Sequence, residues 1–147
     1  MRGRHFALVQ THFHAPAEHG IDGKRYPLEG HFVFRAPDGR LAVVAVLYRE
    51  NAGNKQFAAI VKAARRDHAV ALPVFDAAAL MPHDIDHYYH YLGSLTTPPL
   101  SENVEWYVLA DPVDLSRDDI AEFTRLYAHN ARQPQPLNGR PLLEYKD

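Results

Sequence analysis

Three histidines lie on two short stretches of the chain at a spacing that suits metal binding. His12 and His14 are two residues apart, and His31 follows Glu29 at the same spacing. In a β-strand, residues two apart project from the same face. If the two strands pair, the three imidazoles form a triangle. Three neutral imidazoles leave the fourth position of a zinc ion (Zn2+) open, which is typical of a catalytic zinc site rather than a structural one.

Each stretch also carries a polar side chain that could orient a ligand. Gln10 lies two residues before His12, and Glu29 lies two residues before His31. Metal-bound imidazole normally donates its second N–H to such an acceptor. An isolated His-x-His pair is more often a polar surface strand than a metal site. The third histidine, the carboxylate and the amide together favour a ligand set.

Composition limits the alternatives. The chain of 147 residues has no cysteine, so a metal site must be built from histidines and carboxylates. The 16 basic and 18 acidic residues are scattered, which argues against a nucleic-acid partner. No apolar run is long enough for a membrane span, and the first residues lack a signal-peptide core. We expect a single domain over residues 1–147, with no membrane contact and, as written, a cytoplasmic location.

The hydrophobic pattern predicts a mainly β, α+β fold with a central, mostly antiparallel twisted sheet and a few peripheral helices. Stretches rich in apolar residues predict strands, and a Pro-Asp-Gly turn joins two of them. Helical spacing predicts two helices, the second with an N-cap signature. The residues after 130 are rich in proline and predict an extended loop. The predicted strands are 6–14, 28–35, 41–49, 87–91 and 104–109; the helices are 54–66 and 116–127; the loops are 93–100 and 130–147.

Five blocks of this sequence resemble the alpha-class carbonic anhydrases, and they follow one another from about residue 6 to residue 140. QTHFHAPAEH at residues 10–19 is similar to the zinc-strand motif of that family, and EGHFV at 29–33 to the strand with the third ligand. GSLTTPP at 93–99 resembles the family's substrate loop. VEW at 104–106 and QPLNGR at 135–140 are similar to two later family blocks.

The resemblance implies a role for each matching residue. The Thr96 hydroxyl would accept a hydrogen bond from the attacking oxygen and donate its own to Glu18. The backbone carbonyl of Asn130 would orient His14. His19 and Tyr91 would support the site by hydrogen bonding. The pocket for carbon dioxide would be formed by Val33, Val43, Leu95, Thr97, Val104 and Trp106, although ordinary core packing or, for Thr97, a turn would also explain these residues.

The implied activity is the reversible hydration of carbon dioxide to bicarbonate and a proton, with ester hydrolysis as a side activity. Members of the family carry an N-terminal portion before the zinc strand that includes the usual proton shuttle, and this sequence starts close to that strand. We therefore expect a slow enzyme of alpha-carbonic-anhydrase-like fold that lacks the N-terminal portion. The alternative is a zinc-binding or interaction remnant of the same fold with little or no turnover.

Two further expectations concern the rest of the chain. The outer edge of the strand 6–14 is poorly defended, which predicts a homodimer along that edge; the alternative is a monomer whose Arg2 and Arg4 fold back over it. The family resemblance leaves a periplasmic or secreted origin open. The histidines without ligand spacing are expected to be solvated or incidental: His5, His68, His83, His87, His90 and His129.

Overall fold

A computed structural model describes residues 3–66, 75–127 and 130–147. The strands are β1 (Ala7–His14), β2 (Gly20–Ile21), β3 (Lys24–Arg25), β4 (Leu28–Arg35), β5 (Leu41–Glu50), β6 (His87–Ser94), β7 (Glu102–Leu109), β8 (Val113–Leu115) and β9 (Leu143–Lys146). The helices are α1 (Lys55–Arg66) and α2 (Arg117–Leu126), and a 3-10 helix covers Ala77–Leu80. None of the helices in these described ranges is long and apolar enough to cross a membrane.

Seven strands form one mixed sheet in the order β1-β4-β5-β7-β6-β9, with β8 also paired to β5. The pairs β1–β4, β4–β5, β6–β7 and β6–β9 are antiparallel, whereas β7 and β8 run parallel to β5. The predicted fold class, a mainly antiparallel sheet with peripheral helices, is confirmed.

The two faces of the sheet bury different sets of side chains because residues alternate between them. On one face, Phe32 of β4 and Val46 and Tyr48 of β5 pack with Phe57 of α1 and Phe123 of α2. On the other face, a second apolar cluster contains alternate residues of β4, β5 and β7. The candidate metal ligands lie on this second face.

Local capping explains where the helices begin. Ser116 precedes α2, and its hydroxyl oxygen accepts a hydrogen bond from the Asp119 N–H at 3.2 Å. Asn54, which the sequence placed inside the first helix, precedes α1 and accepts the Phe57 N–H at 3.0 Å. Both residues satisfy an N–H of the first turn that has no partner within the helix.

Several predicted boundaries were wrong. Residues 130–147 are not wholly loop, because β9 pairs with β6. The strand predicted at 87–91 continues to Ser94, and the last predicted strand begins at Glu102 rather than Val104. The short strands β2, β3 and β8 and the 3-10 helix were not predicted, because two to four residues carry too little periodicity.

Candidate metal centre

The pairing of β1 with β4 brings the three predicted histidines together. His12 and His31 are directly opposite each other, and His14 is two residues further along β1 on the same face. The distances between ring centroids are 5.0 Å for His12 and His14, 5.2 Å for His12 and His31, and 4.7 Å for His14 and His31. His14 and His31 are buried, whereas His12 is partly exposed.

One nitrogen of each ring is held by an acceptor. The Nδ1–H of His14 donates to the Asn130 carbonyl oxygen at 2.8 Å, and His12 Nδ1 lies 3.3 Å from Gln10 Oε1. His31 binds Glu29 through its other nitrogen, Nε2. The nitrogens not held by these acceptors are Nε2 of His12, Nε2 of His14 and Nδ1 of His31. The three rings offer one nitrogen each, all within 4.8 Å of one another.

These residues fit a zinc ion. His14 Nε2 is buried and has no hydrogen-bond partner, although buried polar atoms are normally paired. Glu18 Oε1, 3.4 Å from that nitrogen, is also buried and without such a partner. A cation bound by the three imidazoles would satisfy His14 Nε2. Three imidazole donors without a fourth side-chain ligand match an open zinc site.

Glu29 connects the third histidine to a second layer of side chains. Its Oε2 accepts from His19 Nδ1–H at 2.7 Å as well as from His31, and its Oε1 accepts the His19 backbone N–H at 2.9 Å. His19 Nε2 is 2.5 Å from the Tyr91 hydroxyl oxygen. Burial alone would raise the pKa of Glu29, but the charges and hydrogen bonds of His19 and His31 hold that pKa well below its usual value. These interactions favour the ionised form of the carboxylate that faces His31.

Glu18 and Thr96 do not make the predicted contact. Glu18 Oε2 accepts the Arg132 backbone N–H at 2.6 Å, and Oε1 points toward His14 Nε2 and His31 Nδ1, the latter at 3.9 Å. The expected hydrogen bond from Thr96 is not formed, although Glu18 Oε1, turned toward the ligand histidines, has no hydrogen-bond partner. Thr96 and Glu18 nevertheless line the same cleft.

The predicted apolar residues form a continuous wall beside the histidines. Strand pairing places Val33 opposite Val43, and Val43 opposite Trp106. Val104 and Leu95 pack in the same cluster. The Trp106 ring lies edge-on to His31 with a centroid distance of 4.9 Å, and its indole N–H donates to the Ser94 carbonyl at 3.0 Å. The wall is therefore in direct contact with one candidate ligand.

An open cavity of about 860 Å³ lies along β1, next to the candidate centre. Gln10, His12, His14, Thr97 and Asn130 are part of its lining. Thr97 thus lines the same cavity as two of the candidate ligands. Among the described residues that line this cavity, the only imidazoles are the two candidate ligands.

Sequence reasoning missed two contributions from the segment after α2. The side chain of Asn130 bridges β1, since its Oδ1 accepts the Ala15 N–H and its Nδ2 donates to the Phe13 carbonyl, both at 2.9 Å. The Arg132 backbone N–H holds Glu18. A backbone donor leaves no signal in residue type, so only the fold could show it.

The other histidines do not join the centre. His90 was expected to be solvated or incidental, but it is buried, donates from Nδ1 to the Trp106 carbonyl at 2.8 Å and stacks on Tyr107. His90 is buried because β6 pairs with β7, which places His90 opposite Tyr107. His87 pairs with Glu144 at 3.0 Å. His68 and His129 lie outside the described residues.

Comparison with known proteins agrees with this geometry. The model of the eukaryotic-type carbonic anhydrase family matches residues 1–146. A carbonic anhydrase of Pectobacterium carotovorum is 48% identical over 143 residues, covering 94% of this chain and 58% of the relative. The chain therefore spans just under three fifths of that relative's length.

Two solved structures have the same fold. The alpha-carbonic anhydrase of Thermovibrio ammonificans, in complex with the inhibitor sulfanilamide, is 39% identical with a TM-score of 0.85, covering 95% of this chain and 63% of the other. The alpha-carbonic anhydrase of Photobacterium profundum is 38% identical with a TM-score of 0.86, covering 97% and 66%. By sequence and by fold, this chain belongs to the alpha-class carbonic anhydrase family.

Proposed function

We propose that this chain binds one zinc ion through His12, His14 and His31 and catalyses the reversible hydration of carbon dioxide to bicarbonate. The observation that carries the proposal is the orientation of the three rings. Each has one nitrogen held by an acceptor and the other directed to a shared centre. Hydrogen bonds of this kind orient histidine rings for metal binding.

Each group around the centre has a task in this reaction. Bound zinc would lower the pKa of a coordinated water to about 7, the value known for carbonic anhydrase itself, and so supply the attacking oxygen near neutral pH. Val33, Val43 and Trp106 hold carbon dioxide against an apolar surface. Thr96 orients the attacking oxygen, and Glu18 accepts a hydrogen bond from the Thr96 hydroxyl, which requires that hydroxyl to move to Glu18 Oε1. That oxygen is free to accept it.

Zinc stoichiometry measured together with carbon dioxide hydration tests the proposal. We expect one zinc per chain and measurable hydration, and both should be lost in His12→Ala and His31→Ala. His83→Ala is the matched control, because His83 is exposed and lies outside the candidate ligand group. X-ray absorption that shows four protein ligands would contradict the proposed ligand set.

We also propose that proton export limits the rate. The described lining of the cavity along β1 offers no imidazole besides His12 and His14, and we expect buffer to remove the proton. A positioned acid or base contributes roughly 10²- to 10⁴-fold to a rate. Turnover by the 147-residue chain should therefore be slow and should rise with the concentration of small imidazole buffers. A fast rate that does not depend on buffer would show that another group carries the proton.

A non-catalytic zinc-binding module is the second candidate. It is favoured by one observation, the missing hydrogen bond between Thr96 and Glu18. Thr96→Val separates the two functions, because it should reduce hydration while zinc stays bound if the chain is an enzyme. A zinc-loaded chain without hydration activity, unchanged by Thr96→Val, would support the module.

We further propose that two copies of the chain associate along β1. This strand lies at one end of the described sheet order, and Leu8 and Val9 are 39% and 53% exposed. Apolar edge strands promote association with a second strand.

A further inference from the structure

A second cavity, of about 770 Å³, lies between the β2–β3 hairpin and residues 132–142. Tyr89 and Tyr91 of β6 contribute to its lining, as do Glu18 and Thr96. We name this cavity the tail cleft. Its volume is within the range of sites for small organic molecules, roughly 300 to 1,000 Å³.

The tail cleft is rich in positive charge. Its lining contains four basic residues, Lys24, Arg25, Arg132 and Arg140, and two acidic ones, Asp22 and Glu18. Glu18 is buried, with one oxygen bonded to the Arg132 N–H and the other directed at the candidate metal ligands. The charge that faces the cleft is therefore mainly cationic.

The basic side chains of the cleft differ from most of the arginines elsewhere in the described ranges. A carboxylate lies within 4.0 Å of the guanidinium in each of Arg4, Arg40, Arg49, Arg117 and Arg125. No such ion pair involves the four basic residues of the cleft within the part of the chain that the structure describes. Among the described residues, no carboxylate therefore neutralises their charge, although the Lys24 ammonium lies 4.7 Å over the Tyr26 ring.

Two of these guanidinium groups are held in place by neutral acceptors. Arg25 Nε donates to the Ala17 carbonyl at 2.6 Å. Arg140 donates from Nε to the Leu137 carbonyl at 2.8 Å, from Nη2 to the Pro136 carbonyl at 3.1 Å and from Nη1 to the Leu92 carbonyl at 3.4 Å, and it lies over the Tyr91 ring at 5.4 Å. A guanidinium has five N–H donors. Both groups are therefore positioned while donors and positive charge remain available.

We propose that the tail cleft binds an organic anion that carries several carboxylate or phosphate groups. Positioned guanidinium groups recognise such oxygens with two parallel hydrogen bonds. Gln133 and Gln135 add amide groups, and Leu137 and Val108 offer apolar surface for a carbon skeleton. The cleft is much larger than a bicarbonate ion needs, which favours a larger anion.

Isothermal titration calorimetry of the zinc-loaded chain tests whether the tail cleft binds such an anion. Propane-1,2,3-tricarboxylate and fructose 1,6-bisphosphate are titrated in separate experiments. We expect saturable binding of at least one of them at a ratio of one per chain, weakened by added salt. The compound that binds shows whether the cleft prefers carboxylate or phosphate groups. Lys24→Gln combined with Arg132→Gln should weaken binding about tenfold or more, because charge-assisted hydrogen bonds are lost. Lys55→Gln combined with Lys62→Gln on α1 removes the same charge away from the cleft and should leave binding unchanged.

A second variant separates the cleft from the candidate metal centre. Anions can also bind a metal ion, so binding is repeated with His12→Ala, in which the cleft proposal expects unchanged affinity. This readout does not depend on carbon dioxide hydration. The proposal is overturned if neither anion binds saturably, if both pairs of substitutions change affinity equally, or if binding is lost in His12→Ala.

Discussion

At the scale of single residues, the candidate ligands depend on the acceptors behind them. Glu29 is fully buried and is shared by His31 and His19, whereas Gln10 is exposed and 3.3 Å from His12. A buried, charged acceptor orients an imidazole more strongly than an exposed amide does. The two acceptors should therefore differ in their effect on zinc affinity.

Glu29→Gln should weaken zinc binding by about 10- to 100-fold, the usual effect of removing such an acceptor. The glutamine amide would also place N–H groups against the His31 and His19 donors. Gln10→Ala should have a smaller effect. Competition with a chromophoric chelator measures both, with Glu50→Gln as an exposed control. A larger loss for Gln10→Ala than for Glu29→Gln would contradict this ranking.

Acid should destabilise the metal-free protein before the carboxylates titrate. Burial, followed by the charges of His31 and His14, lowers the pKa of His12 to about 4 from 6.5. Between these values the unfolded chain binds a proton that the folded chain does not. Protonation therefore favours unfolding, and the free energy of unfolding falls as the pH is lowered from 6.5 to 4. The pKa of His14 is also lowered, by burial and by His31, which acts in the same direction.

Urea unfolding of the metal-free protein at several pH values between 7 and 4.5 measures this fall in the free energy of unfolding. His12→Gln should give a flatter dependence than the wild type, and His83→Gln should not. Equal slopes in all three proteins would show that His12 does not cause the loss. The pKa of Glu29 lies below its usual value, so the stability from Glu29 is lost mainly below this window.

The sequence was informative about residues whose type and spacing reflect strand geometry. His12, His14 and His31 could be predicted because period-two spacing on paired strands places them on one face. The hydrogen bond between the Arg132 N–H and Glu18 could not be predicted, because it joins a backbone group to a carboxylate 114 positions away. The hydrogen bond expected from Thr96 to Glu18 is not formed in the structure, and it stays a prediction for the working enzyme, because Glu18 Oε1 has no other hydrogen-bond partner.

At the scale of elements, strand prediction succeeded where both faces of a strand are buried and the sequence is therefore strongly apolar. The apolar, β-branched and aromatic residues of β4 and β5 predicted the bounds of these strands to within one residue. In contrast, all four residues of β9 are exposed, so no apolar pattern distinguishes them from loop. β9 becomes a strand only because β6 offers a partner.

Close packing between β6 and β7 gives a prediction about Gly93. A Cβ at this position would lie 2.7 Å from a ring carbon of Tyr91 and 3.1 Å from Trp106 Cδ1. Gly93→Ala should therefore displace both rings, lower the free energy of unfolding by about 1 to 3 kcal/mol and weaken zinc binding. Gly53→Ala is the control, because a Cβ there meets nothing within 4 Å. Chemical unfolding and a zinc titration measure both effects. If Gly93→Ala has the same free energy of unfolding and the same zinc affinity as Gly53→Ala, this steric effect is ruled out.

At the scale of the whole molecule, the two ends of the sheet differ. β9 carries the charged residues Glu144 and Lys146, which discourage pairing with another chain. β1 exposes the uncharged stretch from Ala7 to Gln10. The alternative was a monomer in which Arg2 and Arg4 cover this edge, and the Arg4 guanidinium instead pairs with Glu105 of β7 at 2.7 Å. Arg2 lies outside the described residues.

Association along β1 should therefore produce a two-fold dimer in which the β1 strands of two chains pair and extend the sheet. Val9→Lys places a charge on the exposed edge and should shift the protein to a monomer, as charged edge residues do in natural sheets. Leu143→Lys is the matched control at the opposite end, since Leu143 and Val9 are 54% and 53% exposed. Light scattering over a range of concentrations measures the mass of each variant. If the wild type is a monomer at every concentration, or if Leu143→Lys disrupts the dimer as effectively as Val9→Lys, then β1 is not the interface.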